Sequence, residues 1–164
     1  MFELIWRSIG ALVAVMGFGI VLKVPRRFLL WAGIDGAVGW FIYLIVEQTT
    51  GSMLASTFLG AVGIAVGANI CARIFKTPVT IFMIPANLTI VPGAGMYRIV
   101  YYILRSEHEM SSYYFQQTIL AAGMIAVAIF IVNIILEKVF STGKMVQKSI
   151  SGKNALKTKK KEVL

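Results

Sequence analysis

An all-α integral membrane protein with five transmembrane helices, the fourth broken at a Pro/Gly segment, is the architecture this sequence predicts. Three observations carry it. Five apolar stretches, each long enough to cross a bilayer, follow one another with short polar connections. Charged residues are only 14% of the chain, and within those stretches they are limited to Arg7, Asp35 and Arg98. The fourth stretch holds three prolines and a Gly-Ala-Gly, which disrupt a continuous helix because each internal proline removes a hydrogen bond and crowds the preceding turn. Hydrophobic residues make up 58% of the chain, against roughly 45–50% in a soluble domain.

The spans are expected at about 4–22, 28–46, 53–72, 77–104 and 113–136. About 20 apolar residues rising 1.5 Å each cover a ~30 Å hydrocarbon core, so each stretch can span. The first carries Arg7 near its start and ends at Lys23-Val24-Pro25-Arg26-Arg27, with no small-residue cleavage site of a signal peptide. The second holds Asp35 among Gly33, Gly36 and Gly39. The third is uncharged and contains Gly63-x-x-x-Gly67, a spacing that lets helix backbones approach closely. The fourth is too long for a straight span, at about 42 Å if fully helical. The fifth is uncharged. Residues 1–137 thus form a transmembrane domain, and 138–164 a lysine-rich cytoplasmic tail.

Loop charge sets the orientation. Lys23, Arg26 and Arg27, then Arg73 and Lys76, then the lysine tail all fall on one side if every stretch crosses. The other side receives Glu47–Ser52 and Arg105–Glu109, each with one net negative charge when His108 is neutral. The positive-inside rule places the N-terminus outside and the C-terminus in the cytoplasm of a plasma-membrane protein. The tail is expected to be disordered or weakly helical on the anionic inner leaflet, each lysine contributing about 1 kcal/mol of attraction to membrane lipids.

Function is sought at the break, Ile84 to Arg98. In hydrocarbon an irregular backbone survives only inside protein or beside a water-filled cavity, and many secondary transporters bind substrate at such discontinuous helices. A proline kink that only aids packing is the plainer alternative. The backbone N–H groups of Gly93–Gly95 open a half-helix after Pro92, a natural seat for a carboxylate. Arg98 adds charge one turn on, Asn87 offers bonds to an amino or hydroxyl group, and Tyr97 lies beside them. Asp35 is a candidate coupling carboxylate, since an ionisable group within a membrane is costly, or else it pairs with Lys23, Arg26 or Arg27.

Enzyme chemistry finds no support. The chain has no P-loop, no nucleotide fingerprint and no Cys/His set. Cys71 is the single cysteine, so no intrachain disulfide and no metal framework are expected, and no cofactor is implied. The net charge of +9 arises mainly from the tail and says little about nucleic acid, which is not an expected partner. His108, between Glu107 and Glu109, reads as a solvated residue.

Thr77-Pro78-Val79-Thr80-Ile81-Phe82-Met83-Ile84-Pro85, followed by Ile90-Val91-Pro92-Gly93-Ala94-Gly95-Met96-Tyr97, resembles the threonine/serine exporter family. Val24-Pro25-Arg26-Arg27, Leu30-Trp31-Ala32-Gly33 and Gly36-Ala37-Val38-Gly39-Trp40 are similar to that family's first loop and second span. The resemblance is to the small five-span, YjjB-like subunit, and covers roughly residues 1–137. It implies a secondary exporter of small polar carboxylates, either amino acids such as threonine and serine or a dicarboxylate such as succinate. It also implies proton-gradient drive and a second five-span subunit of the YjjP-like kind. Two other classes fit the residues: a homo-oligomeric channel whose pore the break lines, and a non-transporting membrane scaffold.

Overall fold

The structure, a computed structural model, describes residues 2–162, with side chains described for 3–139. Six α-helices follow in order: α1 (Phe2–Val21), α2 (Arg26–Thr50), α3 (Met53–Phe75), α4 (Thr80–Asn87), α5 (Gly93–Leu104) and α6 (His108–Glu162). No strand occurs among the described residues. The chain divides into two compact units, Met1–Phe130 and Ile131–Leu164. The second is the continuation of α6 through the lysine-rich stretch, whose side chains from 140 onward lie outside the described residues.

Among the described residues four segments are long and apolar enough to cross a membrane: Glu3–Val21, Arg26–Thr50, Met53–Phe75 and His108–Val139. The fourth stretch of the sequence is not a single span. It folds as α4 and α5, of 8 and 12 residues, about 12 and 18 Å long. Neither alone covers ~30 Å of hydrocarbon.

Single left-handed residues make the reversals between the long helices. Lys23 (φ 57°) ends α1, and the Val24 N–H reaches back to the Gly19 carbonyl at 2.8 Å. Gly51 (φ 63°), where glycine costs no steric strain, returns its N–H to the Glu47 carbonyl at 2.9 Å and closes α2. Ser52 then caps α3 by accepting the Ala55 N–H. Lys76 (φ 51°) ends α3 and Ser106 (φ 59°) links α5 to α6. Such short connections make successive helices antiparallel neighbours, and α2 packs against both α1 and α3.

Small residues let α4 sit in the groove between α2 and α3. Phe82 is fully buried among Ala32, Ala68 and Ala72, with Phe28 edge-on at 5.5 Å between ring centroids. Gly36 faces the Ala86 backbone, so that a Cβ there would lie 3.4 Å from the Ala86 Cα. Gly39 and Gly60 bring α2 and α3 together, the carbonyl of each lying close to where a Cβ on the other would stand. Lipid is no better solvent for leucine than a helix neighbour is, so close backbone packing of this kind holds membrane helices together. Outside this core the surface is apolar, with Trp6, Leu30, Ile70, Leu104 and Phe130 all exposed. A soluble monomer rarely shows so continuous an apolar exterior, whereas a bilayer requires one.

Candidate functional site

The chain breaks between Asn87 and Gly93. Pro85 does not cause the break, since it lies inside α4, fully buried. Its missing N–H removes the bond to the Ile81 carbonyl, a loss membrane helices tolerate where neighbouring groups surround them. Beyond Asn87 the ladder tightens to bonds three residues back, from Thr89 N–H to the Ala86 carbonyl at 3.2 Å and from Ile90 N–H to the Asn87 carbonyl at 3.0 Å, and Pro92, which has no N–H, cannot continue it. Pro92 (φ −75°) then starts α5. The ladder of α5 opens with the Met96 N–H on the Pro92 carbonyl at 3.1 Å, so the amides of Ala94 and Gly95 precede it.

Beside this new helix start lies a cavity of about 650 Å³. One wall is the break itself, Thr89 to Gly95, with Arg98 one turn along. Trp40 and Tyr43 of α2, stacked at 4.9 Å, form a second wall with Thr57 of α3. Tyr113, Tyr114, Gln117 and Thr118 of α6 form the third. The positive end of the α5 dipole and the Arg98 guanidinium therefore border one space lined by aromatic rings and hydroxyls. Such a space can hold a small anion that also carries a polar group.

Arg98 is positioned by α6. Its guanidinium carbon stands 5.1 Å from the Tyr114 ring centroid, a cation–π distance, and it makes no ion pair among the described residues. Gly95 fits α6 tightly, because the Thr118 hydroxyl occupies the place where a Cβ would be. Gly93 meets nothing within 4 Å.

The structure brings together Pro92, Gly93, Gly95 and Arg98, and keeps Asn87, Tyr97 and Asp35 apart from their cavity. Asn87 is buried; its Nδ2 donates to the Met83 carbonyl at 3.0 Å, and its Oδ1 has no partner. Tyr97 is 69% exposed and stacks on Tyr101.

Asp35 lies deeper in the helix pack. It is 5% exposed, with one carboxyl oxygen against the Gly67 backbone and Oδ2 without a hydrogen bond. No ion pair to Lys23, Arg26 or Arg27 forms among the described residues. Of the Gly63-x-x-x-Gly67 pair, Gly63 receives Ile42 and Gly67 receives this carboxyl group.

Trp40, Tyr43, Thr57 and the α6 wall are the site residues that the sequence reading missed. Gln116-Gln117-Thr118, a polar run inside an otherwise apolar stretch, was the available signal.

A bundle of apolar helices with one interrupted element opening on a partly polar cavity defines a polytopic membrane protein. The family model for the threonine/serine exporter ThrE matches residues 7–135, more than half of the chain. The chain belongs to this family of transporters, and is a membrane protein of threonine/serine exporter type. No curated protein and no solved structure matches it.

Proposed function

We propose that this chain is one half of a secondary exporter of small polar carboxylates, threonine- or serine-like amino acids or a dicarboxylate such as succinate. The observation that carries the reading is the cavity at the break, where the α5 N-terminus and Arg98 converge. The carboxylate sits on the Ala94 and Gly95 amides at the start of α5 and on Arg98, the Gly93 N–H being held by the Val91 carbonyl at 2.7 Å. Asp35, buried and without an ion-pair partner among the described residues, is the coupling group for protons. Alternating-access sites commonly lie between two repeats, and one such chain supplies a single repeat, so a second five-span subunit completes the transporter.

In this reading α4 and α5 in series make the fourth of five crossings. Together they contain 20 helical residues, about 30 Å of rise, enough for the hydrocarbon core. The N-terminus is outside, and the lysine-rich end is cytoplasmic. Single cysteines introduced between Glu47 and Ser52 should react with a membrane-impermeant thiol reagent on intact cells. Reaction only after permeabilisation would invert the topology.

Transport is tested in proteoliposomes holding this chain with a second five-span family subunit. An imposed proton gradient should accelerate threonine or succinate flux, and this chain alone should show no substrate-specific counterflow. Flux indifferent to the gradient would favour a channel of several copies. Absence of flux with any partner would leave a scaffold.

A further inference from the structure

The serine and threonine hydroxyls of the cavity wall are already engaged. Thr57 Oγ1 donates to the Met53 carbonyl at 2.8 Å, Thr89 Oγ1 to Ala86 at 2.8 Å and Thr118 Oγ1 to Tyr114 at 2.7 Å. Ser52 Oγ accepts the Ala55 N–H at 3.4 Å. Gln117 differs from them. It is the one side-chain amide in the wall, half-buried on α6, and its amide makes no hydrogen bond among the described residues. Its neighbours fix its level in the cavity. Tyr114, three residues before it, carries the Arg98 guanidinium, and Thr118, one residue after it, packs on Gly95. Gln117 therefore stands on the α6 wall at the height of the proposed carboxylate seat.

We infer that Gln117 is the specificity-determining residue of this cavity, reading the end of the substrate that is not the seated carboxylate. The inference rests on the proposed carboxylate site. An amide carries an acceptor and two donors. Its carbonyl accepts from an ammonium or hydroxyl group, so an amino or hydroxy acid satisfies it. A second carboxylate has no proton to give that carbonyl and meets only the NH₂. Where a site is built around such a bond, a ligand lacking the matching group leaves a half-buried polar atom unpaired, and discrimination is larger than any methylene can supply. Gln117 thus pairs with the far end of an amino or hydroxy acid through its carbonyl, or with that of a dicarboxylate through its NH₂, and disfavours a ligand whose far end is apolar.

The test is competition by threonine and by succinate for transport by the complete exporter, in wild type, Gln117→Leu, Gln117→Glu and Arg98→Gln. Each variant is first checked for insertion at the wild-type level. Gln117→Leu should weaken threonine and succinate alike, each by about 10-fold, the size of one hydrogen bond. Gln117→Glu should keep threonine, whose ammonium it attracts, and weaken succinate by about 10-fold or more through like-charge repulsion. Equal changes for both ligands in Gln117→Glu would assign Gln117 to packing and overturn the inference. So would no change in either variant while Arg98→Gln weakens both ligands, a result that keeps the carboxylate site. If Arg98→Gln also changes nothing, or neither ligand competes in wild type, the cavity reading falls and this inference with it.

Discussion

Gly93→Val is expected to abolish substrate binding while the protein inserts and folds normally. The backbone at Gly93 is not left-handed, and a Cβ there meets nothing within 4 Å. The valine branches therefore enter open space at the cavity rather than another side chain, and they cover the amides at the start of α5. A carboxylate denied those donors loses charged hydrogen bonds worth about 1.5–3 kcal/mol each. Each such loss is roughly a 10- to 150-fold weakening. Gly95→Val is a poorer probe, because its side chain collides with the Thr118 hydroxyl and mixes folding with binding. Thermal stability of the purified protein, measured beside affinity for threonine and succinate, separates the two effects. Wild-type affinity in Gly93→Val would remove the α5 terminus from the site. Arg98→Gln should weaken the same ligands by one charged hydrogen bond. Arg98→Lys should recover only part if the guanidinium binds two carboxylate oxygens at once.

Asp35→Asn is the second large expected effect: gradient-driven export is lost, while exchange of substrate for substrate persists. Asparagine keeps the shape of the side chain beside Gly67 but cannot take up and release a proton. Because Asp35 has no ion-pair partner among the described residues, the substitution orphans no opposite charge. Stability should accordingly hold or rise, unlike the several kcal/mol lost when one half of a buried pair is removed. Flux measured across a pH series should vary in wild type and lie flat in Asp35→Asn. A variant that still concentrates substrate against its gradient would return Asp35 to a structural role.

The second, third and fifth stretches that hydropathy marked became helices with ends shifted outward, while the fourth became two. The second was expected at 28–46 and folds as Arg26–Thr50; the third was expected to stop at 72 and runs to Phe75. Hydropathy marks where a helix leaves hydrocarbon, whereas the helix itself ends where a left-handed residue such as Gly51 or Lys76 stops it. The same limit explains His108 and Glu109, expected in a loop and found in the first turn of α6. The break lies within the stretch the prolines and glycines marked, although only Pro92 borders it.

What the sequence determined by itself is local: which stretches are apolar, where charge collects, and where the backbone is interrupted. Each follows from the transfer of one segment into lipid, or from the geometry of one proline, and needs no neighbour. The facing of side chains is not local. Asn87 and Gly93 flank the same break, yet one is buried in the α4 packing and the other opens on the cavity. That separation is decided by which small residues let which helices touch: Gly36 against Ala86, Gly39 against Gly60, Gly95 against Thr118. Contacts of this kind belong to pairs of helices, so only the folded chain could select which polar residues near the break share one space.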